Sequence, residues 1–153
     1  MIKIRTATVK DIRSIQRLNH DIMTRNTLYD PCIMINFDLT DIGKDFFIKA
    51  LKNPKGLFLL AIDDKKMIGY INGGSKEYVY RKKKFFEIEN LGVIPEYRKR
   101  GVGTLLYNFL VQELKKRGYE RIYLNCYSKN VGALRFYKKL GFGEIDISLE
   151  KNI

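Results

Sequence analysis

The sequence predicts an α/β fold of the mixed, α+β kind, built as a single domain over residues 1–153 with a central mixed sheet and flanking helices. Three observations carry this. Strand and helix patterns alternate as β-α-β-α-β through the second half, which implies a partly parallel sheet with helices packed on it. The first half places short strands around a tight turn, the pattern of antiparallel pairing. The 153 residues are 45% hydrophobic, enough for one core.

Residues 2–7 alternate apolar and polar side chains and read as a first strand. Thr8-Val9-Lys10-Asp11 then opens a helix in which Ile12, Ile15, Leu18, Ile22 and Met23 recur at helical spacing. Residues 24–39 lack a period and contain Asn26, Asp30, Pro31, Asn36 and Asp38, so they read as a loop. Thr40 or Asp41 can cap a second helix carrying Ile42, Phe46, Phe47, Ala50 and Leu51, which Asn53-Pro54-Lys55-Gly56 ends. Residues 57–62 and 66–73 form a hairpin around Asp63-Asp64-Lys65, and 85–93 a further strand. Val102, Leu105, Leu106, Phe109, Leu110 and Leu114 make the buried stripe of the next helix, with Lys115, Lys116 and Arg117 at its negative end and Gly118 as its stop. Residues 121–126 are a strand, 131–140 the last helix and 144–150 a closing strand.

Lysine and arginine total 29 against 17 acidic residues, a net charge of +12. A basic surface favours anionic partners, nucleic acid or a phosphate-bearing cofactor among them. The sharpest cluster, Arg81-Lys82-Lys83-Lys84, abuts Phe85-Phe86 and reads as a solvated loop between strands. Cys32 and Cys126 lie far apart and form no metal or redox motif, which points to a reduced, cytoplasmic protein. No signal-peptide pattern or membrane-length apolar run occurs, so no membrane partner is expected.

The most informative segment is Arg98-Lys99-Arg100-Gly101-Val102-Gly103-Thr104. Two glycines let the backbone curl and leave room for a close ligand. A helix begins there, so unpaired N–H groups and the positive helix end converge, as an anion site requires. A dinucleotide fingerprint would need glycine or alanine where Leu106 stands, and no Gly-Lys-Ser/Thr closes a P-loop.

Upstream runs Leu91-Gly92-Val93-Ile94-Pro95-Glu96-Tyr97; downstream runs Asn130-Val131-Gly132-Ala133-Leu134-Arg135-Phe136-Tyr137, closing on Gly141-Phe142. Together these segments resemble the GNAT superfamily of acetyl-CoA-dependent N-acetyltransferases, over roughly residues 85–143. The resemblance implies a sheet in which two parallel strands, here 85–93 and 121–126, splay to admit the pantetheine arm. It implies acetyl-CoA as acyl donor, no metal, and direct transfer to an amine acceptor. Arg98 to Thr104 would hold the pyrophosphate. Leu91, Gly92 and Val93 would face the pantetheine, with a bulge there freeing backbone groups and the Val93 N–H as oxyanion donor. Asn130 and Ala133 belong to the cofactor motif, and Tyr137 would protonate the departing thiolate.

Glu87 and Glu89 sit two apart on the strand before the loop, and either can serve as base. Glu87 matches the glutamate base of the histone-acetylating branch. Asn125 stands where the ribosomal-protein branch has its glutamate, and an amide cannot take a proton there, which weakens assignment to that branch. The acceptor would enter beside the first two helices, where Tyr29, Asp30, Phe37 and Asp38 offer aromatic and anionic contacts. The acceptor is a primary amine of a small molecule or protein. The competing reading is a non-catalytic coenzyme A-binding module with a basic nucleic-acid- or protein-binding face; Tyr137 and the two glutamates disfavour it. A homodimer is compatible with either reading.

Overall fold

The computed structural model describes residues 1–153. One sheet runs in the order β1 (Ile2–Thr6), β2 (Gly56–Asp63), β3 (Lys66–Lys76), β4 (Phe85–Val93) and β5 (Arg121–Leu124). Strands β1 to β4 pair antiparallel, and β4 pairs β5 parallel. The helices are α1 (Ile12–Met23), α2 (Asp41–Lys52), α3 (Val102–Lys116) and α4 (Val131–Lys139). The mixed sheet with one parallel pair is the architecture the sequence predicts.

Local chemistry sets the ends of these elements. Ahead of α1, Thr8 and Asp11 form a reciprocal capping box, and Arg5 grips Asp11 at 2.7 Å. That guanidinium, with further bonds from Thr8, pulls the Asp11 carboxyl down to about 2. Thr40 caps α2 by accepting from the Gly43 N–H at 3.1 Å. The β2–β3 turn places Asp64 at φ 55, a left-handed geometry that aspartate tolerates better than most residues.

The core lies between the sheet and three helices. Ile15, Leu18 and Ile22 of α1, Phe47 of α2, and Leu106, Leu110 and Leu114 of α3 bury against Leu60, Ile68, Tyr70 and Ile71. Phe58 stacks on Tyr70 with centroids 5.5 Å apart. The Tyr70 hydroxyl, fully enclosed, donates to Asn19 Oδ1. Ile42 and Phe46, expected on the inner stripe of α2, face outward; α2 meets the body through buried Gly43 and Phe47, with Ala50 and Leu51 packed against the core as expected. Phe109 of α3 is likewise exposed.

Two expectations about the C-terminal third need correction. Strand β5 stops at Leu124 instead of continuing to 126. The segment 144–150 forms no strand, and Ile147 and Leu149 are 83% and 92% exposed. Its alternation is real, but alternation only supplies a face. A strand also needs a hydrogen-bonded edge, and this segment pairs with none.

Candidate active site

The parallel ladder between β4 and β5 runs from Phe85↔Arg121 to Ile88↔Leu124 and ends there. Strand β4 continues alone to Val93, so the two strands part. On the other side β4 stays paired with β3 as far as Gly69↔Val93, and the Ile94 N–H donates to Ile68 O at 3.0 Å. Antiparallel ladders alternate, so Gly92 and Asn90 turn their backbone groups toward β3. Leu91 and Val93 therefore turn theirs toward the edge that β5 has left. Arg98 Nε takes one of these, the Val93 carbonyl, at 2.9 Å.

The helix α3 begins beside that edge. Gly101 is its N-cap at φ 81, with nothing within 4 Å of where a Cβ would stand, and Lys99 is held at φ 61. A lysine in that region carries strain that the surrounding loop must offset. None of the backbone N–H groups of residues 99–104 finds an acceptor within the protein. A run of unpaired donors at a positive helix end has the chemistry of an anion cradle. Gly103 faces α4, and a Cβ there would lie 3.3 Å from the Phe136 ring.

An opening of about 2710 Å³ joins these parts, and Glu89, Val93, Gly103, Asn130 and Tyr137 all line it. Asn130 caps α4, accepting from the Ala133 N–H at 3.2 Å. Tyr137 is half-buried between Phe136 and Phe142, with centroids at 5.3 and 5.6 Å. Burial first, and Cys126 second, push its phenol pKa upward. A phenol so shifted remains protonated at neutral pH.

The two glutamates occupy different environments. Glu87 is held by Lys76 Nζ at 2.7 Å and does not line the opening. Glu89 does, and Asn72 Nδ2 donates to its Oε2 at 3.0 Å. Desolvation raises its carboxyl pKa, Glu87 adds to the rise, and Asn72 and Lys76 oppose it. The bulge lies here too: Asn72 pairs Asn90 and Gly73 pairs Ile88, leaving Glu89 as the extra residue. The bulge is thus at Glu89, not at Leu91, Gly92 and Val93 as the sequence suggested. Gly92 has a packing reason instead, since a Cβ would meet the Ile22 side chain at 2.4 Å.

The aromatic and acidic residues of the 24–39 segment divide. Tyr29 lies 5.8 Å from the Tyr127 ring, and Tyr127 Oη donates to Asp30 Oδ2 at 3.3 Å, so both Tyr29 and Asp30 rim the opening. Phe37 and Asp38 lie elsewhere. Phe37 meets Phe46 edge-on, and Asp38 is 7% exposed beneath α1, 3.3 Å from His20 and accepting from Gln16 through its backbone carbonyl. Tyr127 is the rim residue the sequence did not single out; its position three residues before the Asn130 cap was the available signal. Asn125 accepts from Tyr123 Oη at 3.0 Å. In the basic cluster, Arg81 sits 3.9 Å over the Phe85 ring and Lys83 pairs with Glu120 at 3.1 Å.

These features agree with what the chain is similar to. It is 27% identical to an N-alpha-acetyltransferase of Sulfurisphaera tokodaii, over 95% of this chain and 82% of that one. Over 66 residues it is 41% identical to an uncharacterized N-acetyltransferase of Methanocaldococcus jannaschii, a match covering 43% of this chain and only 29% of that protein's length. A putative acetyl transferase from Pyrococcus furiosus has the same fold, with a TM-score of 0.81 at 19% identity and full coverage of both chains. The profile of the acetyltransferase (GNAT) family matches residues 20–142, in keeping with the parted strands and the glycine loop at the start of α3, and the chain belongs to that family of N-acetyltransferases.

Proposed function

We propose that residues 1–153 form one catalytic unit that moves an acetyl group from acetyl-CoA directly to a primary amine. The observation that carries this is the run of unpaired N–H groups at residues 99–104 abutting the β4 edge at Leu91 and Val93 that β5 leaves uncovered. Acetyl-CoA supplies an activated thioester, three phosphate groups and an extended amide-bearing arm. The N–H cradle, with Arg98, Lys99 and Arg100 around it, suits the phosphates. The edge of Leu91 and Val93 suits an extended arm, in the way a strand edge accepts a further strand. The Val93 N–H is a donor for the thioester carbonyl oxygen.

Glu89 serves as base, directly or through one water. It lines the opening, and its raised pKa moves it toward the range in which a carboxylate can take an ammonium proton. Tyr137 is protonated and half-buried across the same opening, which suits it to give a proton to the leaving thiolate. Asn130 and Ala133 shape the start of α4 beside the arm. Tyr29 and Asp30, with Tyr127, form the acceptor rim, where one carboxylate and two rings suit a cationic amine. The similarity to an N-alpha-acetyltransferase supports including protein α-amines among the acceptors tried.

The test is titration calorimetry with acetyl-CoA, followed by a panel of polyamine, amino acid, aminoglycoside and peptide amines with detection of free thiol. Gly101→Val with Gly103→Val should weaken acetyl-CoA binding by about 2 kcal/mol, the scale of several charge-assisted bonds. Unchanged affinity in a folded double variant would remove the cradle from the mechanism.

A further inference from the structure

We propose that Asn72 is a positioning residue for Glu89, holding that carboxylate toward the opening through its side-chain amide; this rests on the reading of Glu89 as the base. Asn72 lies on β3, the middle strand of the sheet, and is 1% exposed. Its neighbours along the buried strand are Ile68, Tyr70 and Ile71, so an amide here is out of keeping with its surroundings. Its Nδ2 donates to Glu89 Oε2 at 3.0 Å, while its Oδ1 is buried with no partner. Buried amides are almost always fully bonded. This one is half bonded, and the bonded half is the one that touches Glu89.

The backbone explains why Glu89 needs such a partner. Beside Asn72, a Cβ at Gly73 would stand 1.9 Å from the Glu87 carbonyl, so only glycine lets β3 and β4 close there. The register shifts between Asn72 and Gly73, and Glu89 is left with no residue directly opposite. An extra residue in a ladder lacks the cross-strand neighbour that normally orients a side chain. The Asn72 amide supplies that orientation from the adjacent strand.

The amide also fits both charge states of a base. A carboxylate only accepts, so it meets the NH₂ end. Once protonated, the carboxyl carries a donor, and a half-turn of the amide brings the unpartnered Oδ1 opposite it. Around Glu89, the charges are Glu87 on β4, which favours the protonated form, and Lys76 on β3, which opposes it. Tyr123, the β5 partner of Glu87, is a neutral phenol, and desolvation moves its pKa further up. Neither α1 nor α3 contributes a charge to it.

Asn72→Leu keeps the branched side-chain shape, at a greater volume, and removes the donor, and Asn72→Ala removes both the branch and the donor. Carbon-detected NMR titration of the Glu89 carboxyl reads the effect without any substrate. Loss of the donor should raise the Glu89 pKa by roughly one unit, a tenfold change in proton affinity, with acetyl-CoA affinity unchanged. The acid limb of kcat/KM, measured with acetyl-CoA and the amine that the acceptor panel identifies, should move upward by the same amount. A Glu89 titration identical to wild type in either folded variant would overturn the proposal. A shifted titration with an unmoved rate profile would instead overturn Glu89 as base, and leave the Asn72–Glu89 pairing standing.

Discussion

Strands β1 to β4 with α1 to α3, and the stretch from β5 to the C-terminus, are two different kinds of structure in one chain. Every buried residue lies between Ala7 and Leu114, and none from Arg121 onward is buried. The first region holds the interlocked core of Phe47, Tyr70, Leu106 and Leu110. The second rests on a four-residue parallel ladder and the contacts of Ile122, Leu124 and Phe142. Yet Asn130 and Tyr137 stand on the second and line the same opening as Glu89 and the start of α3 on the first. The division teaches that burial is concentrated in the body, while the proposed site spans the seam. Segments with little burial open at low free-energy cost, and a ligand that bridges both sides holds them together.

The largest expected effect tests the stability side of that division. Leu106→Ala should cost about 2–5 kcal/mol, because a fully buried leucine leaves a cavity behind. Ile122→Ala in half-buried β5 should cost about 1 kcal/mol or less. Urea unfolding curves measure both, and equal losses would erase the distinction between the two regions.

Next comes the chemical side. Tyr137→Phe should lower turnover on the order of 10²-fold while urea midpoint and acetyl-CoA affinity stay near wild type, since it removes a proton donor from a side chain outside the core. Full activity would mean that another group protonates the thiolate.

The body should also own the acid sensitivity. Asp11, pulled down to about 2 by Arg5, is lower in the folded chain than its ordinary value of 3.8. Its contribution is therefore fully present above about pH 4 and is lost as pH falls through about 2. That contribution is about 2 kcal/mol at most. Asp11→Asn should lower the urea midpoint at pH 6 and converge with wild type near pH 2. A constant gap across that window would locate the effect in the cap geometry instead.

The smallest effect has the opposite sign and sits at the seam. Glu89 is raised in the folded chain, so its ionisation opposes folding at pH above its folded value. Glu89→Gln should keep the Asn72 bond, slightly raise stability at pH 7 and abolish most turnover. Lower stability in that variant would mean that the carboxylate serves the fold.

Much of this was legible in the sequence where the signal was local. The bounds of β4, the Thr8–Asp11 opening of α1, the Thr40 cap and the Gly101 start of α3 follow from period and capping chemistry within a few residues. The cradle follows from Gly101 and Gly103 standing at a helix start. The segment 144–150 misled because alternation states only which way side chains point, not whether an edge exists to pair them.

By itself, then, the sequence determined the alternating elements, the glycine loop that opens α3 and the family to which the chain belongs, since each depends on neighbours in the chain. Only the tertiary structure separated Glu87 from Glu89, because the deciding groups, Lys76 and Asn72, come from another strand. It alone moved the bulge to Glu89, through a register set by Gly73 against Glu87. It alone put Tyr29 and Asp30 beside Tyr127 while sinking Asp38 under α1. Those choices rest on contacts between residues far apart in the chain, and no local pattern encodes which strand will lie opposite which.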